Sequence, residues 1–245
     1  MKIYEIERPI YKTGMVPDVK AQNVYYANAT NVEEQNIIVC KKCMFATEFI
    51  KPTKRIIEWL PGSNIVGDFT WVGRLIGEVV ITKRVKDSFE KVTRGLEFIP
   101  IEFWQDPKLK TPKRITKRSA LRMWLPYEGP PLYDLWINNW VHADLNKSTL
   151  LLKSDCLECG KSSYKPVGFE KYEQGWDKEK RVGYEIHTHR IKDQGIFIRQ
   201  DELKYAQIFR LHELRGFIFC TEMMKDLTEE LGFTNVTFLE VGDVI

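Results

Sequence analysis

The stretch Glu78-Val79-Val80-Ile81-Thr82, followed by Lys83 to Thr93 and then Gly95-Leu96-Glu97-Phe98-Ile99, returns near the end of the chain. There it reads Gly216-Phe217-Ile218-Phe219-Cys220-Thr221, then Glu222 to Leu231, then Gly232 and Val236-Thr237-Phe238-Leu239. In both places an apolar run meets a Thr, about three helical turns follow, and a Gly precedes a second apolar run. Lys86-Asp87 and Lys225-Asp226 stand at the same place after the Thr. Thr suits the N-cap, where its hydroxyl can accept a hydrogen bond from an otherwise orphan amide of the first turn. Gly suits the left-handed conformation that closes a helix. Val85, Phe89 and Val92 recur at helical spacing, as do Met224, Leu227 and Leu231, so each helix is expected to bury that face on its flanking strands. The pattern predicts an α/β (α+β) fold in one domain, 1–245. Its mixed sheet is built from two similar strand-helix-strand halves, about 77–103 and 215–241, each preceded by a Cys-x-x-Cys.

Outward from these units, Ile3, Tyr4 and Ile6 look like a first strand, and Ile37-Ile38-Val39 leads into Cys40. Ile56-Ile57-Glu58-Trp59-Leu60 precedes the turn composition Pro61-Gly62-Ser63-Asn64. Residues 105–120 are basic and Pro-containing and read as an exposed connection. The aromatic stretch from Gly129 to Trp140 is expected to cover the core or to present a surface. Residues 161–180 are polar and are expected to form a long loop or hairpin tip.

The 245 residues are 43% hydrophobic and 29% charged, with 13 Phe, 10 Tyr and 7 Trp, which suffices for a large core. A formal charge of +3 argues against a nucleic-acid partner, since such proteins draw most of their affinity from phosphate neutralisation. Lys2 to Arg8 contains no apolar signal region, and no run approaches the roughly 20 apolar residues of a membrane span. A cytoplasmic protein without membrane contact is expected.

Cys40-Lys41-Lys42-Cys43 and Cys156-Leu157-Glu158-Cys159-Gly160 have the spacing that lets two thiolates in a tight turn face one ion. Two such knuckles complete a tetrahedral sulfur shell, so Cys40, Cys43, Cys156 and Cys159 are the expected ligands of one structural zinc. Four thiolates leave no open position for catalysis. Gly160 gives the second knuckle backbone freedom. Closing a loop with 112 residues between Cys43 and Cys156 removes considerable chain entropy. The fifth cysteine, Cys220, lies in an apolar strand and reads as a small buried hydrophobe.

Among His142, His187, His189 and His212, only Glu185-Ile186-His187-Thr188-His189 suggests chemistry: on a strand, its acid and two histidines share a face. A solvated polar face opposite Tyr184, Ile186 and Thr188 is the favoured explanation. There is no Gly-rich phosphate loop, no G-x-S-x-G and no H-E-x-x-H. Glu229-Glu230 falls on the polar side of a helix. No catalytic set emerges, and a protein that is not an enzyme is expected.

With these features in view, the chain resembles the double-CxxCG-motif family, best known as myxobacterial paralogues and related to immunity proteins of bacterial polymorphic toxin systems. The resemblance rests on Lys2-Ile3-Tyr4-Glu5, the knuckle Cys40–Cys43, the Val79-Val80-Ile81 strand with its helix, and Cys156-Leu157-Glu158-Cys159-Gly160. It extends to Gln207-Ile208-Phe209-Arg210-Leu211 and Val236-Thr237-Phe238. The first knuckle departs from it, with Met44 where the second has Gly160. The resemblance implies a non-enzymatic protein that binds and neutralises a cognate toxin, with no particular contact residue carried over. Trp124, Tyr127, Tyr133, Trp136 and Trp140 are candidate aromatic anchors for such a surface. Two other functions fit parts of the sequence. One is a zinc-ribbon nucleic-acid binder using Lys41-Lys42 and the basic 108–118 stretch; the other is a metal-dependent hydrolase using His187 and His189.

Overall fold

The computed structural model describes residues 1–9, 28–32, 37–44, 46–60, 65–73, 78–104, 127–169, 172–177, 182–187 and 190–245. The strands of the N-terminal part are β1 (Lys2–Glu7), β2 (Asn28–Asn31), β3 (Ile37–Val39), β4 (Ala46–Phe49), β5 (Arg55–Leu60), β6 (Phe69–Gly73) and β7 (Val79–Thr82). Helix α1 (Lys83–Val92) leads to β8 (Leu96–Trp104), β9 (Leu132–Ile137) and β10 (Trp140–Val141). Then come β11 (Leu150–Cys156), β12 (Lys161–Pro166), β13 (Tyr172–Asp177), β14 (Val182–His187) and β15 (Ile196–Ile198). A short helix α2 (Gln200–Leu203) precedes β16 (Ile208–Leu211), β17 (Phe219–Thr221), helix α3 (Glu222–Glu230) and β18 (Thr237–Val244).

The fold is mixed α+β, mostly sheet. Instead of one mixed sheet it contains a closed barrel, β2-β5-β8-β9-β7-β6, and a six-stranded sheet, β10-β16-β17-β1-β18-β15. Among the described residues three two-stranded hairpins, β3-β4, β11-β12 and β13-β14, share no strand pairing with either. Strand alternation fills the barrel. Arg55, Ile57 and Trp59 are buried, whereas Ile56 and Glu58 between them are only partly so. Ile57 and Trp59 meet Ala29, Val72, Val80 and Leu132 in one cluster.

The barrel and the six-stranded sheet share strand order and polarity. In the barrel β2 is parallel to β6, β6-β7-β9-β8 is antiparallel throughout, and β8 is parallel to β5. In the sheet β10 is parallel to β16, β16-β17-β1-β18 is antiparallel throughout, and β18 is parallel to β15. The barrel closes through β2 and β5, extended by Val32 N–H to Ile56 O at 3.1 Å. The corresponding ends of the sheet are joined by Asp144 N–H to Phe197 O at 2.7 Å.

Both helices start where the Thr signal places them, but the hydroxyls do a different job. Thr82 and Thr221 are N-cap residues without a side-chain cap bond. Thr82 donates instead to Asp68 Oδ1 at 2.9 Å, and Thr221 to Gln207 Oε1, each partner lying fourteen residues earlier. Competing polar partners just ahead of strands β6 and β16 take the hydroxyl from the helix. Gly95 and Gly232 have φ of 76° and 61°, as a helix-closing turn requires.

A shared core lies between barrel and sheet. It joins Tyr4, Ile6, Ile208, Ile218, Cys220 and Met224 to Phe69, Val79, Ile81, Val85, Phe89, Leu135 and Ile137. Val85, Phe89 and Met224 reach it as their periodicity predicts. Val92 and Leu231 do not: each sits at a helix end and is 38% and 40% exposed. On α3 the buried partner of Met224 is Thr228, whose hydroxyl bonds back to Met224 O at 2.7 Å.

Two further expectations change. The Gly129–Trp140 stretch does more than cover the core: β9 is a barrel strand paired with β7 and β8 that buries Leu132, Leu135 and Ile137, while Pro130 and Pro131 ahead of it are exposed. Part of the expected 161–180 loop is strand β12 and strand β13. The basic connection 105–120 lies outside the described residues.

Candidate metal centre

Each Cys-x-x-Cys sits at the bend of its own hairpin, β3-β4 for the first and β11-β12 for the second. Antiparallel pairing brings the strand ends together, and the backbone then curls over the first cysteine. Met44 N–H bonds to Cys40 O at 2.8 Å, and Gly160 N–H bonds to Cys156 O at 2.8 Å. This turn needs a left-handed residue after the second cysteine, and Met44 and Gly160 take φ of 60° and 63°. The Met44 substitution therefore leaves the knuckle's geometry unchanged.

The two hairpins point their thiols at one spot. Cys40 Sγ lies 3.8 Å from Cys156 Sγ, and Cys43 Sγ lies 3.7 Å from Cys159 Sγ. All four sulfurs fall within 4.8 Å of one another. A disulfide needs sulfurs about 2.05 Å apart, and all five cysteines are free. A tetrahedron with metal–sulfur bonds of about 2.3 Å has edges near 3.8 Å. The four cysteines could therefore hold one metal ion with little rearrangement. Cys40 and Cys156 are buried while Cys43 and Cys159 are half-buried, so one edge of the cluster faces solvent.

Backbone amides favour the thiolate of Cys156. The Cys159 N–H directed at Cys156, helped by that of Glu158, brings the Cys156 thiol down to about 7. Burial pushes the Cys159 thiol up. Arg215 lies within electrostatic range of Cys159 and over the Trp140 ring at 6.0 Å. Trp140 also meets Phe49 of the first hairpin at 5.5 Å and His212 at 5.3 Å. The first knuckle's hairpin is thus seated on the sheet edge through Trp140. His212 stacks on His142 at 4.2 Å, and His142 Nδ1 lies 3.0 Å from Glu213 Oε1. The sequence reading missed this group, whose members are seventy residues apart.

It also missed a charged cluster inside the barrel. Arg55 Nη2 lies 3.1 Å from Asp134 Oδ2 and 3.4 Å from Glu78 Oε1, all well buried. Burial holds the Glu78 and Asp134 carboxyls above the usual range, and Arg55 opposes that rise. Burial lowers the Arg210 guanidinium to about 10, with Asp134 and Glu78 countering. Trp59 Nε1, Thr70 Oγ1 and Glu78 Oε2 are buried and find no hydrogen-bond partner among the described residues. The available signal was a charge inside each apolar run: Glu78 before Val79-Val80-Ile81, and Asp134 within Leu132–Ile137.

The other candidate residues disperse. His187 ends β14, which places Glu185 and His187 at alternate positions of one strand, and His189 lies outside the described residues. Among the described residues the four cysteines are the one group found that could hold a metal. Of the aromatic anchors, Tyr127 stacks on Phe103 at 3.9 Å, Tyr133 packs on the shared core, and Trp136 Nε1–H bonds to Asn138. Trp124 lies outside the described residues. Glu229 and Glu230 are exposed, as expected, and Glu229 pairs with Lys225 one turn earlier. Cys220 is fully buried, and burial pushes its thiol up.

Exposed apolar residues gather at the two knuckles. Met44 is 69% exposed and Leu157 94%, and Ile38, Val39, Leu151 and Leu152 on the same hairpins are exposed too. Among the described residues no helix is long and apolar enough to cross a membrane. Compared with models of known protein families and with curated proteins, the sequence matches none.

Proposed function

We propose that this protein is a cytoplasmic, non-enzymatic immunity-type protein that binds and neutralises a cognate toxin, with a structural zinc joining two similar halves of its scaffold. One observation carries the reading: the sulfurs of the candidate metal centre are all turned toward one another, while the hairpins around them present apolar side chains outward. A four-thiolate site has no coordination position for a substrate, so the metal's contribution is to hold the hairpins. Zinc is the favoured ion because tetrahedral thiolate shells suit it and because it needs no redox partner. Exposed Met44, Leu151, Leu152 and Leu157 then supply the apolar centre that protein interfaces require. The resemblance to double-CxxCG-motif proteins supplies the kind of partner, a bacterial toxin.

Co-expression with a toxin encoded beside this gene tests the proposal. Growth rescue with co-purification is expected, and a toxin that stays active and unbound contradicts it. The ring series Phe49-Trp140-His212-His142, flanked by Arg215, favours a second reading as a nucleic-acid-binding zinc ribbon. Retention on single-stranded nucleic acid that weakens with salt would favour that reading instead. The hydrolase alternative requires a second metal that survives loss of the cysteine site and depends on His187 and His189.

A further inference from the structure

The first strand of the chain does not pair with its sequence neighbours. β1 lies between β17 and β18 of the six-stranded sheet, and β9 lies between β7 and β8 of the barrel. We infer that the chain is a tandem repeat whose copies begin at β1 and β9, each copy donating its leading strand to complete the other's sheet.

Four independent observations align the same residues. The Thr82–Asp68 and Thr221–Gln207 bonds make Thr82 the counterpart of Thr221. Strand pairing agrees, since Phe69 faces Ile81 and Ile208 faces Cys220, one residue before each Thr. On the inserted strands Leu132, Tyr133 and Asp134 face Thr82, Ile81 and Val80, while Ile3, Tyr4 and Glu5 face Thr221, Cys220 and Phe219. This register places Ile3-Tyr4-Glu5-Ile6 on Leu132-Tyr133-Asp134-Leu135, which is also how the two sequences match best.

The fourth observation explains the repeated Lys-Asp. Lys86 Nζ lies 5.3 Å from the Tyr133 ring centre, and Lys225 Nζ lies 5.5 Å from that of Tyr4. Each helix lays its lysine on the tyrosine of the donated strand, a cation–π contact made twice in the same place. Lys86 is held by Glu90 and Lys225 by Glu229, both one turn later. The metal centre obeys the same relation. Cys40 Sγ lies 3.8 Å from Cys156 Sγ and Cys43 Sγ 3.7 Å from Cys159 Sγ, so counterpart sulfurs meet across the cluster at nearly equal distances, as around a two-fold axis.

Without its inserted strand, each sheet would leave a gap with two exposed edges between the strands joined by its helix. An extended strand with Tyr at its centre and apolar neighbours fills that gap by main-chain pairing, as strand-addition ligands do. Neither copy is therefore a complete folding unit, and residues 2–7 belong structurally to the C-terminal sheet.

The test cuts the folded protein once, at a protease site placed within 105–126, between β8 and β9. The metal also bridges the copies, so the cut protein is examined with and without chelator. The two fragments are expected to co-elute in both conditions. After separation in denaturant each alone should fail to regain native circular dichroism, and mixing should restore it. Fragments that separate after chelation while keeping their sheet signal, or a single fragment that refolds fully alone, would overturn the inference.

Discussion

Met44 occupies in the first knuckle the place that Gly160 occupies in the second: φ is 60° and 63°, and each N–H closes a 2.8 Å bond to the carbonyl of the knuckle's first cysteine. A side chain in this conformation meets its own carbonyl, at a cost of about 1–2 kcal/mol that Gly avoids. Met44→Gly should thus stabilise the protein by up to about 1 kcal/mol, less what greater unfolded-chain freedom takes back. Gly160→Ala should destabilise by about 1 kcal/mol, from backbone strain alone, because nothing lies within 4 Å of the added Cβ. Urea unfolding of the metal-loaded protein measures both, and a stabilising Gly160→Ala would contradict the turn.

The barrel interior gives a larger effect. Arg55 stands between Asp134 and Glu78, so Arg55→Met leaves two buried carboxyls without the cation they touch, with only the more distant Arg210 to offset them. Removing one partner of a buried pair costs roughly 3–5 kcal/mol. Denaturant unfolding should show a loss of that size, with partial recovery when Glu78→Gln is added. A cost below about 1 kcal/mol would mean that the cluster is solvated.

His212 gives a pH dependence of definite sign. Burial, followed by the neighbouring His142, lowers its folded pKa below the ordinary value of 6.5. The unfolded chain then binds the proton more readily. The contribution of His212 to stability is complete above pH 6.5 and is lost as pH falls from there through the folded value. The stability difference between the parent and His212→Gln should accordingly shrink from pH 7.5 to pH 5.5. A difference that is flat or grows on acidification would contradict the stacked arrangement.

Removing residues 1–8 should deprotect amides far away in sequence. Backbone amides of β17 and β18, which face β1, should exchange faster in hydrogen exchange than those of β6 and β7 in the barrel. Equal loss everywhere, or loss confined to the barrel, would contradict the placement of β1.

Much of the site was legible in the sequence, because Cys-x-x-Cys encodes a local turn whose geometry follows from spacing. The strand-helix-strand units were legible for the same reason: their caps, periodicity and closing glycines act within about fifteen residues. What stayed hidden was pairing between distant segments. Nothing local in Lys2–Glu7 says that it will lie between Phe219 and Phe238, and Tyr4 resembles Tyr133 only once the register is known. Thr82 and Thr221 misled in a similar way, because Asp68 and Gln207, at the bends leading into β6 and β16, take their hydroxyls. The hydrophobic spacing of Val92 and Leu231 also overstated burial, since both helices run past the core at their last turn.

The central claim is that Cys40, Cys43, Cys156 and Cys159 form one closed metal clamp, and X-ray absorption at the zinc edge on purified protein tests it most directly. One zinc per chain surrounded by four sulfurs at about 2.3 Å is expected, and Cys40→Ser or Cys156→Ser should lose it together with roughly 10 °C of Tm. Absence of metal, or a shell containing nitrogen or oxygen ligands in place of sulfur, would contradict the account.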